Sequence, residues 1–249
     1  AGGEAFPDNL YRDAKAEGVK GARATYGHAG MVLKVRKPEL AEVALIPAGA
    51  ALISFLQPLN SPELVKALAK RKVLSFSLET IPRITRAQSM DALSSQATVS
   101  GYKAALIAAD NLGKLFPMLM TAAGTVTPAR VLVLGAGVAG LQAIATCRRL
   151  GGVVEAFDVR AAAKEEVKSL GANFIELELE TQEGTGGYAK EQSEDFLRRQ
   201  RELLAKHASQ ADVGITTALI PGRAAPILLT KEQASALNPG SGVVHIPAE

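Results

Sequence analysis

Two groups of residues in this chain have the types and spacing to do chemistry. The first is Gly135-Ala136-Gly137-Val138-Ala139-Gly140, a G-x-G-x-x-G string between the aliphatic run 131–134 and the apolar stretch 141–150. By itself the string marks any tight strand-to-helix turn. With a strand before it, a helix after it, and an acid, Asp158, about 20 residues beyond its first glycine, it describes a dinucleotide site. Gly135 permits the tight turn, Gly137 lets backbone amides approach a pyrophosphate with no Cβ in the way, and Gly140 lets the helix pack closely on its strand. The helix N-terminus offers unpaired N–H groups and the positive end of its dipole to the phosphates. Asp158, at the tip of the second strand, would accept hydrogen bonds from the adenosine ribose hydroxyls. A carboxylate there favours NAD over NADP, whose 2′-phosphate would meet like charge. Arg160 could draw such a phosphate, but with Asp158 present it reads as an exposed arginine opening the next helix.

The second group is the polar segment 82–96, which brings Arg83, Arg86, Gln88, Asp91 and Ser94 together with several other hydroxyls. It is too polar for a buried strand and too long for a simple turn. Segments of that kind in compact domains are often functional, yet by residue type it reads equally as a solvated linker between domains. Elsewhere the signals are plainer. Cys147 reads as a small core filler rather than a nucleophile. Arg198, Arg199, Arg201 and Lys206 read as a solvated helix face balanced by Glu194, Asp195 and Glu202. His28, His207 and His245 are scattered, with no partner pattern and no metal-ligand spacing.

Positioning these residues falls to short apolar runs that alternate with helix-length amphipathic stretches from about Met31 onward. That is the pattern of strand–helix units around a parallel sheet. Residues 31–35, 51–55 and 73–77 read as buried strands. A helix over 61–70 is opened by Ser61 as its cap, Pro62 in its first turn and Glu63 at its positive end; it buries Leu64, Leu68 and, at its margin, Val65. Residues 96–120 have the length and composition of a helix that bridges two domains. After the glycine turn come strands at 153–157 and 173–177, a charged helix over 190–207, a strand at 213–217, a short helix at 231–237 and a last strand at 243–246. The expected fold class is α/β, with two Rossmann-like parallel-sheet domains linked by a long helix. The first, over 1–95, is incomplete; the dinucleotide domain covers 96–249.

Composition limits the alternatives. A chain of 249 residues, 47% apolar and 4% aromatic, has the make-up of a globular protein with an aliphatic core, which excludes disorder and collagen-like repeats. Its single cysteine rules out an intramolecular disulfide and suits a reducing compartment. The net charge of +3 is dispersed and interleaved with few aromatics, so nucleic acid is not implied. No apolar run reaches the roughly 18 residues that a membrane span needs. The N-terminus, Ala1-Gly2-Gly3-Glu4, reads as the start of a fragment or of a processed chain.

Several strings are more specific than their residue types. Pro82-Arg83-Ile84-Thr85-Arg86-Ala87-Gln88-Ser89-Met90-Asp91 and its continuation to Ser95, then 121–126 with 128–130, 135–141, 157–162, 186–191 and 216–222, resemble the NAD(H)-binding component of the proton-translocating nicotinamide nucleotide transhydrogenases. The resemblance runs from about Leu33 to Gly240. It implies NAD(H) on this chain, NADP(H) on a partner component and direct hydride transfer between them, coupled to proton movement through a membrane-spanning component. It implies that Arg83, Gln88, Asp91 and Ser94 hold the nicotinamide and its carboxamide, with Gln88 reaching towards the second nucleotide. It adds Val159, Arg160, Tyr188, Thr217, Ala218 and Leu219 to the glycine turn and Asp158 as cofactor-binding residues, with no metal. Residues 181–191 would form a loop that closes on the nucleotide, with Tyr188 at its contact point and Gly184, Gly186 and Gly187 as its hinge. A homodimer is implied too, in the bacterial cytoplasm at the inner membrane or in an organelle matrix.

That family also resembles alanine dehydrogenase, and an amino-acid dehydrogenase is the competing reading. Its chemistry requires a proton acceptor, which in alanine dehydrogenases is a histidine just after the strand equivalent to 51–55. Here the segment reads Leu56-Gln57-Pro58-Leu59-Asn60, with no histidine. Hydride exchange between two nicotinamides needs no general acid or base, only alignment of two C4 atoms. A third reading is a catalytically incompetent NAD-binding module. Against the family pattern the chain lacks an opening strand and helix, ends at Glu249 before further nucleotide-domain strands, and has His245 where an aspartate is usual.

Overall fold

A computed structural model of the chain describes residues 6–176, 194–217, 230, 234 and 237–246. The chain divides into two compact units, Ala1–Ala92 and Leu93–Glu249. The first begins with short helices α1 (Asp8–Asp13) and α2 (Ala22–Tyr26). It continues through β1 (Met31–Leu33), α3 (Leu40–Val43), β2 (Ala51–Ser54), α4 (Pro62–Lys70) and β3 (Leu74–Ser77). The three strands are parallel in the order β1-β2-β3. Val32 and Leu52 point to one face, where they meet Val43 and Ile46 at α3 and Leu64 and Leu68 of α4.

These strands, expected to be buried, leave one face of the sheet partly open. Side chains alternate along a strand, and the register sets Leu33, Ile53 and Phe76 in a row on the other face. Leu33 is 73% exposed and Phe76 51%. Two details of α4 also differ. Val65 is exposed rather than buried, and Ser61 makes no capping hydrogen bond; its Oγ accepts from Lys37 Nζ at 3.1 Å instead. A polar cluster ties α2, the end of β1 and α3 together. Lys34 Nζ lies 2.6 Å from both Glu42 carboxylate oxygens, and the Tyr26 hydroxyl donates to Glu42 Oε1 at 2.9 Å. The Lys34 ammonium and the Glu39 N–H hold the Glu42 carboxyl below its ordinary range.

The second unit opens with α5 (Ala92–Asn111) and the hairpin β4 (Leu119–Thr121)–β5 (Gly124–Val126). Then follow β6 (Arg130–Leu134), α6 (Val138–Arg149), β7 (Val153–Phe157), α7 (Ala163–Ser169), β8 (Asn173–Phe174), α8 (Glu194–Ala208), β9 (Val213–Thr216) and β10 (Gly242–His245). Five of these strands form a parallel sheet in the order β10-β9-β6-β7-β8. From β6 the chain winds outward through β7 and β8, then returns to the other side of β6 for β9 and β10. This is the doubly wound arrangement, and its crevice lies beyond the carboxyl ends of β6 and β9. β6 is covered on both faces, which is why it reads as an unbroken aliphatic run. Val131 and Val133 pack with Ala104, Ala105 and Ala108 of α5 and Ile144 and Cys147 of α6, while Leu132 and Leu134 pack with Leu204 and Ala208 of α8.

The helix expected over 96–120 starts earlier and ends at Asn111. Gly113 and Pro117 follow, neither suited to a helix interior; Phe116 is buried in the core, while Leu119 and Met120 enter the hairpin, with Met120 78% exposed. α5 is more than a connection, since its small residues Gly101, Ala104, Ala105 and Ala108 are buried in the second unit. The strand expected at 173–177 is confined to Asn173–Phe174 within the described residues. The short helix expected at 231–237 lies almost wholly outside them. Among the described residues no helix is long and apolar enough to cross a membrane.

Candidate functional site

The glycine turn sits at the carboxyl end of β6, at the crevice. Gly135 N donates to the Phe157 carbonyl at 2.8 Å, and the backbone there takes φ +100°, a conformation that favours glycine. Ala136 is fully buried and its N–H donates to Asp158 Oδ2 at 2.8 Å. Gly137 caps α6 with no side-chain hydrogen bond to the first-turn amides. A Cβ at Gly137 would meet no atom within 4 Å, whereas one at Gly140 would stand 1.9 Å from the Gly135 carbonyl oxygen. The two glycines therefore do different work. Gly140 closes the helix onto the turn, and Gly137 leaves open the space over the amides of Val138 and Ala139. That open space at the N-terminus of a 12-residue helix fits a pyrophosphate.

Thr217 completes the turn from the opposite side of the crevice. Its N–H donates to the Leu134 carbonyl at 2.8 Å and its hydroxyl to the Gly135 carbonyl at 2.9 Å. The side chain expected to touch cofactor thus pins the glycine turn to the chain as it leaves β9. Asp158 stands across from it at the end of β7, with its side chain only 8% exposed. Arg160 is not the exposed arginine expected from the sequence. Its Nε and Nη2 lie 2.9 Å from Asp158 Oδ1 and Oδ2, and its backbone N–H donates to Oδ1 at 2.9 Å. Val159, between them, packs against the cluster formed by Leu132, Leu134 and Phe157.

The polar segment runs across the division between the two units. Arg83, Gln88 and Asp91 belong to the first, Ser94 to the second. Residues Thr85–Met90 form a 3-10 turn anchored by buried Ala87, with Gln88 exposed on it. The Asp91 N–H closes the turn on the Gln88 carbonyl at 3.2 Å. Asp91 and Ser94 are half-buried where the turn runs into α5, and Arg83 is exposed before it. Tyr188, Ala218, Leu219 and the expected loop 181–191 lie outside the described residues.

Two histidines, unassigned from the sequence, have partners in the structure. His245 Nδ1 lies 2.6 Å from the Thr216 hydroxyl, across the pair in which His245 is in register with Thr216 at the carboxyl ends of β10 and β9. His207 Nδ1 lies 2.9 Å from Glu155 Oε2, joining α8 to β7. Both pairings depend on strand register and helix placement, which spacing along the chain does not reveal. Cys147 is fully buried, and burial pushes its thiol up to about 12, as befits a core filler. In the first unit, burial would raise the Glu79 carboxyl, but the Ser77 hydroxyl and backbone N–H groups, those of Leu56 and Gln57 among them, hold it below its ordinary range.

The family model "Alanine dehydrogenase/PNT, N-terminal domain" matches residues 1–100, and "Alanine dehydrogenase/PNT, C-terminal domain" matches residues 104–249. The chain belongs to the alanine dehydrogenase/PNT family. Within that family it is 48% identical to an NAD(P) transhydrogenase subunit alpha polypeptide of Rhodospirillum rubrum, over 99% of this chain and 66% of that one. It is 26% identical to an alanine dehydrogenase of Methanococcus maripaludis, over 98% of this chain and 61% of that one. The crystal structure of transhydrogenase from Sinorhizobium meliloti superimposes with a TM-score of 0.82 at 46% identity, covering 97% of this chain and 65% of that one. The chain thus spans just under two thirds of the length of these transhydrogenase relatives. Among alanine dehydrogenase/PNT proteins its likeness is much greater to the transhydrogenase branch.

Proposed function

We propose that this chain binds NAD(H) and exchanges a hydride with NADP(H) held on a partner component, as part of a transhydrogenase. The observation that carries the reading is the pairing of an open helix N-terminus at Gly137 with the Asp158 carboxylate, 2.8 Å from the same turn's Ala136 amide. The first suits a pyrophosphate and the second an adenosine ribose. The 48% identity to a transhydrogenase subunit gives that generic cofactor site its reaction. When bound, the nicotinamide supplies and accepts the hydride. The chain's own residues bind and orient: the amides of Val138 and Ala139 face the phosphates, Thr217 fixes the turn, and Asp158 takes the ribose. Arg83, Gln88, Asp91 and Ser94 act on the nicotinamide and its carboxamide, and Tyr188, Ala218 and Leu219 add cofactor contacts.

No proton has to be moved on this chain, because a hydride passes directly from ring to ring and the protein needs only to set the distance. Proton translocation belongs to a membrane-spanning component with which the chain associates from the cytoplasmic or matrix side, as a homodimer. The boundary between the first domain and the dinucleotide domain falls near residue 95.

The test is a hydride-exchange assay with an NADP(H)-binding component added, together with fluorescence titration of NADH and NADPH. Exchange that depends on the added component, and NADH bound more tightly than NADPH, are expected. A charge-assisted hydrogen bond contributes about 1.5–3 kcal/mol, so Asp158→Ala should weaken NADH by roughly tenfold or more. Equal affinity of the unmodified chain for the two nucleotides would reject the assignment.

A further inference from the structure

The preference for NAD(H) rests on Asp158, and the carboxylate of Asp158 is already full. An ionised carboxylate has about four acceptor positions, two on each oxygen. Oδ1 takes the backbone N–H and the Nε–H of Arg160, both at 2.9 Å. Oδ2 takes the Ala136 N–H at 2.8 Å and the Nη2–H of Arg160 at 2.9 Å. Two of these four donors are backbone amides, one fixed by the glycine turn and one by the chain as it leaves β7. The other two belong to a single side chain that is 24% exposed, against 8% for the aspartate it holds. A ribose brings two hydroxyl donors to the same oxygens. They are accepted only as the guanidinium lets go, because the amides cannot withdraw without undoing the turn.

We infer that Arg160 is a specificity-determining residue of this site, an internal competitor of the ribose hydroxyls for Asp158. The inference rests on the proposed NAD(H) binding and adds to it a direction for every substitution. With Arg160 present the two side chains are together neutral, so a 2′-phosphate meets a balanced pair rather than a bare carboxylate. Removing Arg160 frees two acceptor positions for the ribose and leaves the aspartate's charge uncompensated against a phosphate. Neutralising Asp158 instead leaves the guanidinium within a side chain's reach of the 2′ position. There its planar fork of donors matches a phosphate.

The experiment titrates NADH and NADPH, by fluorescence, into the full 249-residue chain and into R160A, D158N and the double variant, with thermal melts to show that each is folded. R160A is expected to bind NADH about fivefold more tightly and NADPH more weakly, widening the preference by about tenfold. D158N keeps an oxygen for the Ala136 N–H and is expected to bind NADPH at least tenfold more tightly than the unmodified chain, a gain that D158N/R160A loses. R160K, a smaller change that keeps the charge and gives up the fork, should fall between R160A and the unmodified chain. NADH affinity that is unchanged or weaker in R160A would make Arg160 a bystander or a cofactor contact and overturn the inference, as would a double variant that retains the NADPH gain. An unmodified chain that binds neither nucleotide, or binds both equally, would overturn the NAD(H) reading itself, whereas the outcomes with the variants leave that reading standing.

Discussion

Gln88 lies exposed on a 3-10 turn whose footing is the buried methyl of Ala87 and the Asp91 N–H on its own carbonyl. Its side chain can therefore be shortened without disturbing what holds the turn. The amides after Gly137 and the carboxylate of Asp158, which would hold pyrophosphate and ribose, are on other elements. Gln88→Ala should accordingly spare most of the NADH affinity. Proximity is steep, and a misplacement of about 1 Å can cost around a hundredfold in rate. In a complete enzyme, the single-turnover hydride-transfer rate is expected to fall far more than the NADH dissociation constant rises. Equal losses in both would mean that the turn merely holds cofactor; no loss in either would return it to a linker. At this scale the sequence was legible where chemistry and local backbone coincide, as at Gly135, Gly140 and Asp158. It misled at Arg160, read as an exposed arginine, because nothing in the order Asp-Val-Arg says that the arginine folds back two residues to grip the aspartate.

Among the elements, α5 and α6 meet where one residue has no side chain. A Cβ at Gly101 of α5 would lie 2.0 Å from the Ala139 carbonyl oxygen, in the first turn of α6. Backbone cannot yield there as a flexible side chain would, so Gly101→Ala must push the two helices apart at the amides proposed to face the pyrophosphate. A loss of about 1–3 kcal/mol in stability, the usual cost of overpacking, should come with a drop in NADH affinity, measured by chemical denaturation and fluorescence titration. A variant that loses stability but keeps full affinity would show that α5 only supports the fold. Elements of the first unit carry a pH dependence instead. Lys34 is partly desolvated, which would lower its value, but the Glu42 carboxylate raises it above the ordinary lysine range, while Glu42 itself is lowered. A lowered carboxyl contributes stability above its unfolded value and loses it as pH falls through the folded one; a raised ammonium contributes below its unfolded value and loses it as pH rises through the folded one. The pair therefore stabilises across the neutral range and fades in acid and in strong alkali. Lys34→Met should cost about 1 kcal/mol at pH 7, given a partly exposed pair, and flatten the loss of stability on acidification. Melts of variant and unmodified chain that run parallel from pH 7 down to pH 3 would count against it.

For the molecule as a whole, the legible part was the parallel α/β architecture, because strands buried on two faces and a strand–glycine–helix turn announce themselves in sequence. The half-covered face of the first sheet was not legible, since Leu33 and Phe76 look the same whether or not anything lies over them. The two activities weighed for this chain differ in their need for a proton acceptor in the segment after β2, and there the fold has put the polar side chain of Gln57 to another use. Gln57, just after β2, has φ +49° and donates its N–H to the Glu79 carboxylate, while its side-chain oxygen accepts from Lys37 Nζ at 2.6 Å. A carboxamide neither takes nor gives a proton near neutral pH, so this residue cannot serve as the acceptor that amino-acid dehydrogenation needs. Transfer between two nicotinamide rings makes no such demand. The chain should therefore leave NADH unoxidised in a mixture of pyruvate and ammonia at pH 7 to 9, on a preparation shown by titration to bind NADH. Addition of an NADP(H)-binding component and oxidised nucleotide to that same preparation should then start hydride exchange. Enzyme-dependent NADH oxidation in the first mixture would transfer the assignment to the dehydrogenase branch, despite the lower identity of 26% on that side.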